Sequence, residues 1–253
     1  MSHHIVEAKD LRYTYPDGSP ALRGLSFRIT HGESVGVVGA NGAGKSSLLL
    51  HLNGYLTPQG GTVRVGDLPI NKKTLEHIRR TVGMVFQDPD DQLFMPTVYE
   101  DVAFGPVNLG LPPEEIETKV MNALEAVGAG HLRDRPPYRL SGGEKRAVAI
   151  ASVLSMSPDI LVMDEPSSNL DPRSRRQLIR MLAGFEHTRI LATHDLDMVL
   201  DLCPRTIVLK DGMVAADGPT LEIMRDRQIL DECGLDIPLR LQGCPVCGRR
   251  AEA

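Results

Sequence analysis

The residues best placed for chemistry in this chain are spaced for work on a phosphate chain. Gly39-Ala40-Asn41-Gly42-Ala43-Gly44-Lys45-Ser46 follows the pattern glycine, four residues, Gly-Lys-Ser. An apolar run, Val35-Gly36-Val37-Val38, precedes it, and Ser47-Leu48-Leu49-Leu50 follows. Strand, glycine loop and helix start are the setting of a phosphate-binding P-loop. Glycines let successive N–H groups turn inward on phosphate oxygens, and the helix adds the positive end of its dipole. In that setting Lys45 reaches the β- and γ-phosphates, and the Ser46 hydroxyl is a ligand for Mg²⁺.

Three further stretches carry polar groups that plain folding does not require. Asp164-Glu165 closes the run Ile160-Leu161-Val162-Met163. A run apolar on both faces suits a buried parallel strand, and adjacent carboxylates at its end cost desolvation unless a cation compensates them. Mg²⁺ is the cation expected beside a P-loop. Leu140-Ser141-Gly142-Gly143-Glu144 has the spacing of a capping box, but two glycines weaken a first helical turn. Close approach of a phosphate to a bare helix N-terminus accounts for them. His194 ends the strand Arg189-Ile190-Leu191-Ala192-Thr193, as Gln87 ends the strand over 81–86. Four predicted strands, 35–38, 82–86, 160–163 and 189–193, thus deliver their polar residues at their C-terminal ends. In open parallel sheets that edge is where ligands sit.

The elements that position these groups follow from periodicity and turn chemistry. Residues 5–10 and 25–29 are predicted strands, separated by a turn at Pro16-Asp17-Gly18. Tyr13 and Tyr15 flank that turn, either to stack on a flat base or to pack a hairpin core. The P-loop helix is expected to end at Gly54, a left-handed cap. Residues 62–65 make a strand, and Leu75, Ile78 and Arg79 mark a short helix. Asp88-Pro89-Asp90-Asp91 breaks regular structure. Helices are predicted over 97–104 and 114–127, the second with Ile116, Val120, Ala123, Leu124 and Val127 on one face. These form a helical lobe, about residues 88–157, inserted in an α/β core. Pro172 opens a basic amphipathic helix behind Asp171. Residues 206–210 and 213–216 form a hairpin turning at Asp211-Gly212, and after Gly218 come a short helix and a polar tail.

Composition bounds the setting. The chain has 253 residues, 42% hydrophobic, with a formal net charge of −5 and no tryptophan. No apolar run approaches the length needed to cross a bilayer, and Met1 to Asp10 has no signal-peptide pattern. A cytoplasmic protein is expected, reaching a membrane only through a partner. Mixed charge without a basic stripe argues against a nucleic-acid partner. Cys244-Pro245-Val246-Cys247 is a CxxC for zinc or redox chemistry, with Cys203 and Cys233 as the other thiols; inert thiols are the alternative. His3 and His4 are a neighbouring pair at the terminus, where solvation is commoner than metal ligation.

In this order the motifs resemble those of ATP-binding-cassette ATPases. Gly39 to Ser46 matches the Walker A motif, Gln87 the Q-loop, and Leu140 to Glu144 the signature. Ile160 to Glu165 matches Walker B with its glutamate, Asp171 the D-loop and His194 the switch histidine. The resemblance covers roughly residues 3–218, leaving 219–253 as a C-terminal extension. Phe86 to Phe94, Val102-Ala103-Phe104-Gly105-Pro106 and Ser167 to Pro172 are similar to the energy-coupling-factor subclass, most of all to the ATPase subunit of cobalt or nickel importers. Glu144 stands where many members have Gln.

The resemblance implies an α/β P-loop fold with an N-terminal antiparallel β subdomain and an inserted α-helical subdomain. It implies ATP and Mg²⁺, held by Gly39, Asn41, Gly42, Ala43, Gly44, Lys45, Ser46 and Ser47, with Tyr15 against the adenine. Ser46, Gln87 and Asp164 serve Mg²⁺, Glu165 polarises the attacking water and His194 contacts the γ-phosphate. Ser141 and Gly143 complete the site of a second subunit in a head-to-tail dimer that ATP closes and hydrolysis opens, with Gly142, Glu144 and Asp171 also among the nucleotide-binding residues. The partner is an identical copy or a paralogue; the self-sufficient set of motifs favours a homodimer. Integral membrane coupling and substrate-binding subunits are the implied partners, met by a groove running through Phe94 and Tyr99 at the cytoplasmic face of the membrane. A different cargo such as a vitamin, or a soluble ATPase of a non-transport complex, are the alternatives.

Overall fold

The structure, a computed structural model, describes residues 6–185 and 187–242. In chain order the elements are β1 (Val6–Thr14), β2 (Pro20–Ile29), β3 (Ser34–Val38), α1 (Lys45–Leu52), β4 (Gly60–Val65), β5 (Leu68–Pro69), α2 (Leu75–Thr81) and β6 (Val82–Val85). Then come α3 (Val98–Asn108), α4 (Pro113–Ala126), α5 (Gly142–Leu154), β7 (Ile160–Asp164), α6 (Pro172–Ala183) and β8 (Thr188–Ala192). The chain continues with α7 (Leu196–Leu202), β9 (Arg205–Lys210), β10 (Met213–Pro219), α8 (Thr220–Ile223) and α9 (Arg227–Glu232). It divides into two compact units, one of Met1–Ile78 with Thr188–Ala253, the other of Arg79–His187.

The first unit holds an antiparallel sheet in the order β2-β1-β4-β5. In it β1 and β2 pair from Val6 opposite Ile29 to Thr14 opposite Pro20, so both strands run further toward the turn than the sequence predicts. In the same unit β3 lies parallel to both β8 and β9, and β10 pairs antiparallel with β9. Every residue of β3 is buried, as its unbroken apolar pattern requires. Helix α1 packs on β2, β4 and β8, with Leu48, Leu49 and Leu52 inaccessible to solvent. It stops at Leu52, and Gly54 takes the left-handed conformation (φ 70°) just beyond its cap. The β9–β10 turn has positive φ at Asp211 and Gly212, the geometry of a tight hairpin. Gly212 is also bonded outward, its N–H to Ala43 O (3.1 Å) and its carbonyl from Arg23 N–H (2.9 Å).

Residues beyond β10 are less polar in their packing than their sequence suggests. Ile223, Met224, Leu230 and Cys233 are buried. The Asp197 carboxylate, in the first turn of α7, accepts from the backbone N–H of Leu239 (3.2 Å) and Arg240 (3.1 Å). The Arg240 guanidinium reaches Asp201 at 2.6 Å. The segment is thereby strapped along α7.

The second unit pairs β6 and β7 in parallel, Val82 opposite Ile160 through Val85 opposite Met163. Helices α3, α4 and α5 pack on one another, and α5 also packs on β6. Helix α3 begins where predicted, with Thr97 as N-cap, but runs through Pro106 to Asn108 rather than ending at Phe104. The reason is local. Proline lacks the N–H that would bond to the carbonyl four residues back, here Val102. Ser155 Oγ donates to Val102 O instead, at 2.8 Å, so no buried carbonyl is left bare. The stretch after Gln87 is not wholly irregular either: Asp88 caps a single 3₁₀ turn over Pro89–Asp91.

Candidate functional site

The candidate site residues fall in both units, and each set is built by its own local structure. In the first unit the loop 39–44 leaves β3 and feeds α1. Gly44, the N-cap, has φ 104°, and a Cβ there would stand 2.8 Å from Ala21 O, so only glycine fits. A glycine N-cap brings no side chain to the first amides of α1, which have no acceptor within the helix. Lys45 is buried, and its ammonium bonds Gly39 O (2.8 Å) and Ala40 O (3.3 Å) across the loop. Asn41, Gly42 and Ser46 are exposed, while Ala43 and Ser47 are buried. Unspent amides, a positive helix end and an ammonium at one loop make a cradle that fits a phosphate chain.

Tyr15 is joined to that loop's helix: its hydroxyl and Ser47 Oγ are 2.9 Å apart. Its ring meets Tyr13 edge-on at 5.2 Å, and Tyr13 meets the buried His51 at 4.9 Å. His51 Nδ1 in turn donates to Ser47 O at 2.6 Å. Tyr13 is thus the packing residue of the two, and Tyr15 the one tied beside the P-loop. His194 is exposed directly after β8, where Thr193 N–H bonds Val37 O of β3 (3.2 Å) and Asp195 caps α7.

In the second unit Asp164 ends β7 and Glu165 follows it; they are 5% and 6% exposed. They are not an exposed acidic turn. Glu165 has φ 46°, a strained backbone for a non-glycine residue. Burial of two carboxylate side chains suits a hard divalent cation with oxygen ligands, the chemistry of Mg²⁺. Gln87 is exposed at the end of β6, and Asp171 caps α6, accepting from the N–H of Arg173 (2.8 Å) and Ser174 (3.2 Å). The Ser174 hydroxyl bond, then these amides, hold the Asp171 carboxyl below its usual range.

Helix α5 starts with the capping box the spacing predicts. Ser141 Oγ accepts from Glu144 N–H, and the Ser141 N–H donates to the Glu144 carboxylate at 2.7 Å. The Ser141 hydroxyl also donates to that carboxylate (2.7 Å), which with the amide holds the Glu144 pKa low. The two glycines then separate. A Cβ on Gly142 would come no nearer than 4.0 Å to anything, whereas on Gly143 it would meet Ser174 Oγ at 2.6 Å. Gly143 therefore has a packing reason within the chain, in addition to any ligand's approach.

A family model described as ABC transporter matches residues 22–168. The chain belongs to the ABC transporter family. It is 47% identical to the energy-coupling factor transporter ATP-binding protein EcfA of Methanothermobacter thermautotrophicus, over 92% of this chain and 77% of that protein. Among solved structures it is similar to cbiO1 of Clostridium perfringens, part of the ABC transporter complex cbiONQ, with TM-score 0.80 and 40% identity over 91% of this chain and 94% of that one. It is also similar to the cassette MJ0796 in a dimeric post-hydrolysis state bound to ADP and Pi, with TM-score 0.77 and 27% identity over 85% of this chain and 98% of that one. This ABC chain is thus an ATP-binding ATPase, homologous to ATP-binding subunits named for energy-coupling-factor transporters. Its fold is the ABC ATPase fold, with antiparallel sheet, P-loop core and helical subdomain.

Motif reading of the ABC chain missed the side chains that hold its motifs. Ser174 stands against Gly143, and Ser47 against Tyr15. Arg146 and Gln92 fasten the segment behind Gln87; no sequence signal marks Arg146, and Gln92 is marked only by lying within the stretch Phe86 to Phe94. A cavity of ≈ 280 Å³ lies along α5 and α6, lined by Ser141, Gly143, Ala147, Ser174 and Leu178 among others. Cys203 and Cys233 are buried free thiols, and burial pushes Cys203 up to about 11, far from a thiolate ligand. Among the described residues no group of three or more His, Cys, Asp or Glu side chains is gathered to hold a metal ion by itself, and no helix is long and apolar enough to cross a membrane. His3, His4, Cys244 and Cys247 lie outside the described residues.

Proposed function

We propose that two copies of this chain bind ATP between them and hydrolyse it to energise a membrane importer whose cargo is a cobalt or nickel ion. The observation that carries the hydrolytic part is the buried Asp164–Glu165 pair with its strained Glu165 backbone, in a chain that also holds the P-loop cradle. Lys45 and the amides of 39–46 hold the phosphates, and Tyr15 takes the adenine. Ser46, Gln87 and, through water, Asp164 hold Mg²⁺, which when bound supplies charge neutralisation at the phosphate oxygens. Glu165 orients and polarises the attacking water, and His194 contacts the γ-phosphate. Ser141 and Gly142, with Gly143, Glu144 and Asp171 behind them, serve the nucleotide of the other copy. ATP then favours the closed pair, and hydrolysis releases it. The MJ0796 cassette was solved as a dimer, which supports this arrangement.

Coupling to integral membrane subunits is supported by an apolar patch in the second unit. Phe94 and Phe104 are 63% and 44% exposed, with their rings 5.0 Å apart, and Val107 is 56% exposed. The Phe94 loop is set by Asp101, whose buried carboxylate accepts from the N–H of Phe94 (2.9 Å) and Met95 (3.0 Å). Tyr99 belongs to the same proposed groove, and Arg133 lies over its ring at 4.7 Å. The cargo assignment rests on the likeness to cbiO1 of the cbiONQ complex. At the membrane the chain is peripheral, on the cytoplasmic face.

Glu165→Gln tests the chemistry: ATP binding is retained and turnover lost, and undiminished hydrolysis would remove Glu165 from its role. Isolation of the chain from gently solubilised membranes, followed by ⁵⁷Co²⁺ and ⁶³Ni²⁺ uptake with and without it, tests the cargo. Uptake of neither ion, with a vitamin-binding membrane subunit recovered instead, would keep the ATPase and replace the cargo.

A further inference from the structure

The Gln87 segment is held by side chains outside the set that meets the nucleotide. Arg146, on the second turn of α5, is 3% exposed. Its Nη1 donates to Phe86 O at 2.8 Å and its Nη2 to Gln87 O at 2.6 Å, one guanidinium spanning two successive carbonyls as β6 ends. Burial lowers its pKa, Asp88 and Asp164 oppose that from a distance, and its Nε has no hydrogen-bond partner. A buried cation fixed to backbone carbonyls rather than to a carboxylate is costly, and an apolar residue would pack that space at less cost. What the guanidinium supplies is a rigid two-pronged hold that neither lysine nor an apolar side chain can give.

Two more ties run the same way. The Gln92 side chain accepts from Phe86 N–H (3.1 Å) and donates to Ala149 O (2.6 Å) and Ser152 Oγ (2.9 Å). Lys145 Nζ reaches both oxygens of Asp90, at 2.6 and 2.9 Å. The segment 86–92 is therefore tied to α5 at Phe86–Gln87, Asp90 and Gln92, and the N-terminus of α5, one turn before Lys145 and Arg146, carries Gly143 behind its cap Ser141.

We propose that Arg146 is a positioning residue that locks Gln87 to the helix bearing the signature, so that the two move as one body. The inference rests on the proposed role of Gln87 at the nucleotide and deepens it: the group serving one ATP and the groups serving the other copy's ATP share one rigid helix. A shift of Gln87 in one site is then felt at the second through α5.

The test uses the full chain with Gln87→Ala, Arg146→Lys and the double variant. Thermal unfolding, ATP-binding affinity at a series of Mg²⁺ concentrations, kcat and KM are read for each. Arg146→Lys, still folded, lowers kcat about tenfold or more with KM within about threefold, and raises the Mg²⁺ needed for tight binding, as Gln87→Ala does. The double variant falls no lower than Gln87→Ala alone, because both remove the same placement. Unchanged kcat in Arg146→Lys, or losses that multiply in the double variant, overturns the proposal. Should Arg146→Lys fail to fold, Gln92→Met cuts the half-buried tie and is read against Gln87→Ala by the same two criteria. Full turnover in Gln87→Ala would instead overturn the role given to Gln87, and this inference with it.

Discussion

Ser174 Oγ occupies the place where a side chain on Gly143 would begin. The contact would be 2.6 Å to Oγ and 3.1 Å to the Ser174 Cβ. Ser174 cannot swing aside freely, because its hydroxyl donates to Asp171 Oδ2 at 2.5 Å. The signature turn and the cap of α6 are thus in van der Waals register, and Asp171 is tied to Gly143 through one serine.

Gly143→Ala is therefore an overpacking change, expected to cost about 1–3 kcal/mol and several degrees of Tm. Ser174→Gly in the same chain restores the Tm. Melting curves of the single and double variants decide it, and a single variant as stable as the parent would show that the packing does not hold Gly143.

Glu144→Gln keeps a capping-box partner for Ser141 and removes an anion from a turn proposed to meet phosphate. The expected result is ATP-dependent pairing at an ATP concentration lower by about threefold in a Glu165→Gln background, read by sedimentation. The pH dependence has a definite sign. The Ser141 bonds hold the Glu144 pKa below the ordinary carboxylate range in the folded chain, so their stability is present above the unfolded-state pKa and is lost as pH falls through the lowered value. The parent loses this contribution on the acid side only, and Glu144→Gln does not.

Ser155→Ala leaves the buried Val102 carbonyl without its donor, at a cost of about 1–3 kcal/mol. Adding Pro106→Ala returns a helical N–H to that carbonyl and recovers most of the loss. Thermal unfolding of the two variants reads the cycle; if the double variant is no more stable than Ser155→Ala, the serine is not standing in for the missing N–H.

Tyr15→Phe and Ser47→Ala each cut the hydroxyl contact beside the P-loop while keeping the aromatic ring. Each is expected to raise KM for ATP by about two- to fivefold with kcat near the parent's, and the double variant by no more than either alone. Steady-state kinetics with nucleotide affinity measured alongside checks it.

Much of this was legible because the groups meeting a nucleotide must obey narrow spacing. Gly44, Lys45, Ser141 and Glu144 announce themselves by a loop and a capping box that only certain residues can build. Buried strands such as β3 and β7 read directly from unbroken apolar runs. What stayed hidden were residues whose work is long-range. Arg146 looks like a charge on a helix, Gln92 like a loop residue and Ser155 like a helix end, until the chain brings them to carbonyls far away in sequence. The extent of α3 was misjudged for the same reason, since a proline's disruption depends on whether a distant hydroxyl is at hand. The burial of Ile223, Met224, Leu230 and Cys233 was missed because the apolar groups there are spread among charges.

The strap along α7 gives the molecule two different ends. Its nucleotide motifs finish at His194, but the Asp197 and Asp201 carboxylates are held by residues 239 and 240. A chain cut after Gly234 would retain every motif and still expose two carboxylates at the start of the helix that follows His194. Amide exchange in α7 should then quicken while that in β3 hardly changes, so the length of chain that cooperates in folding exceeds the length that touches nucleotide.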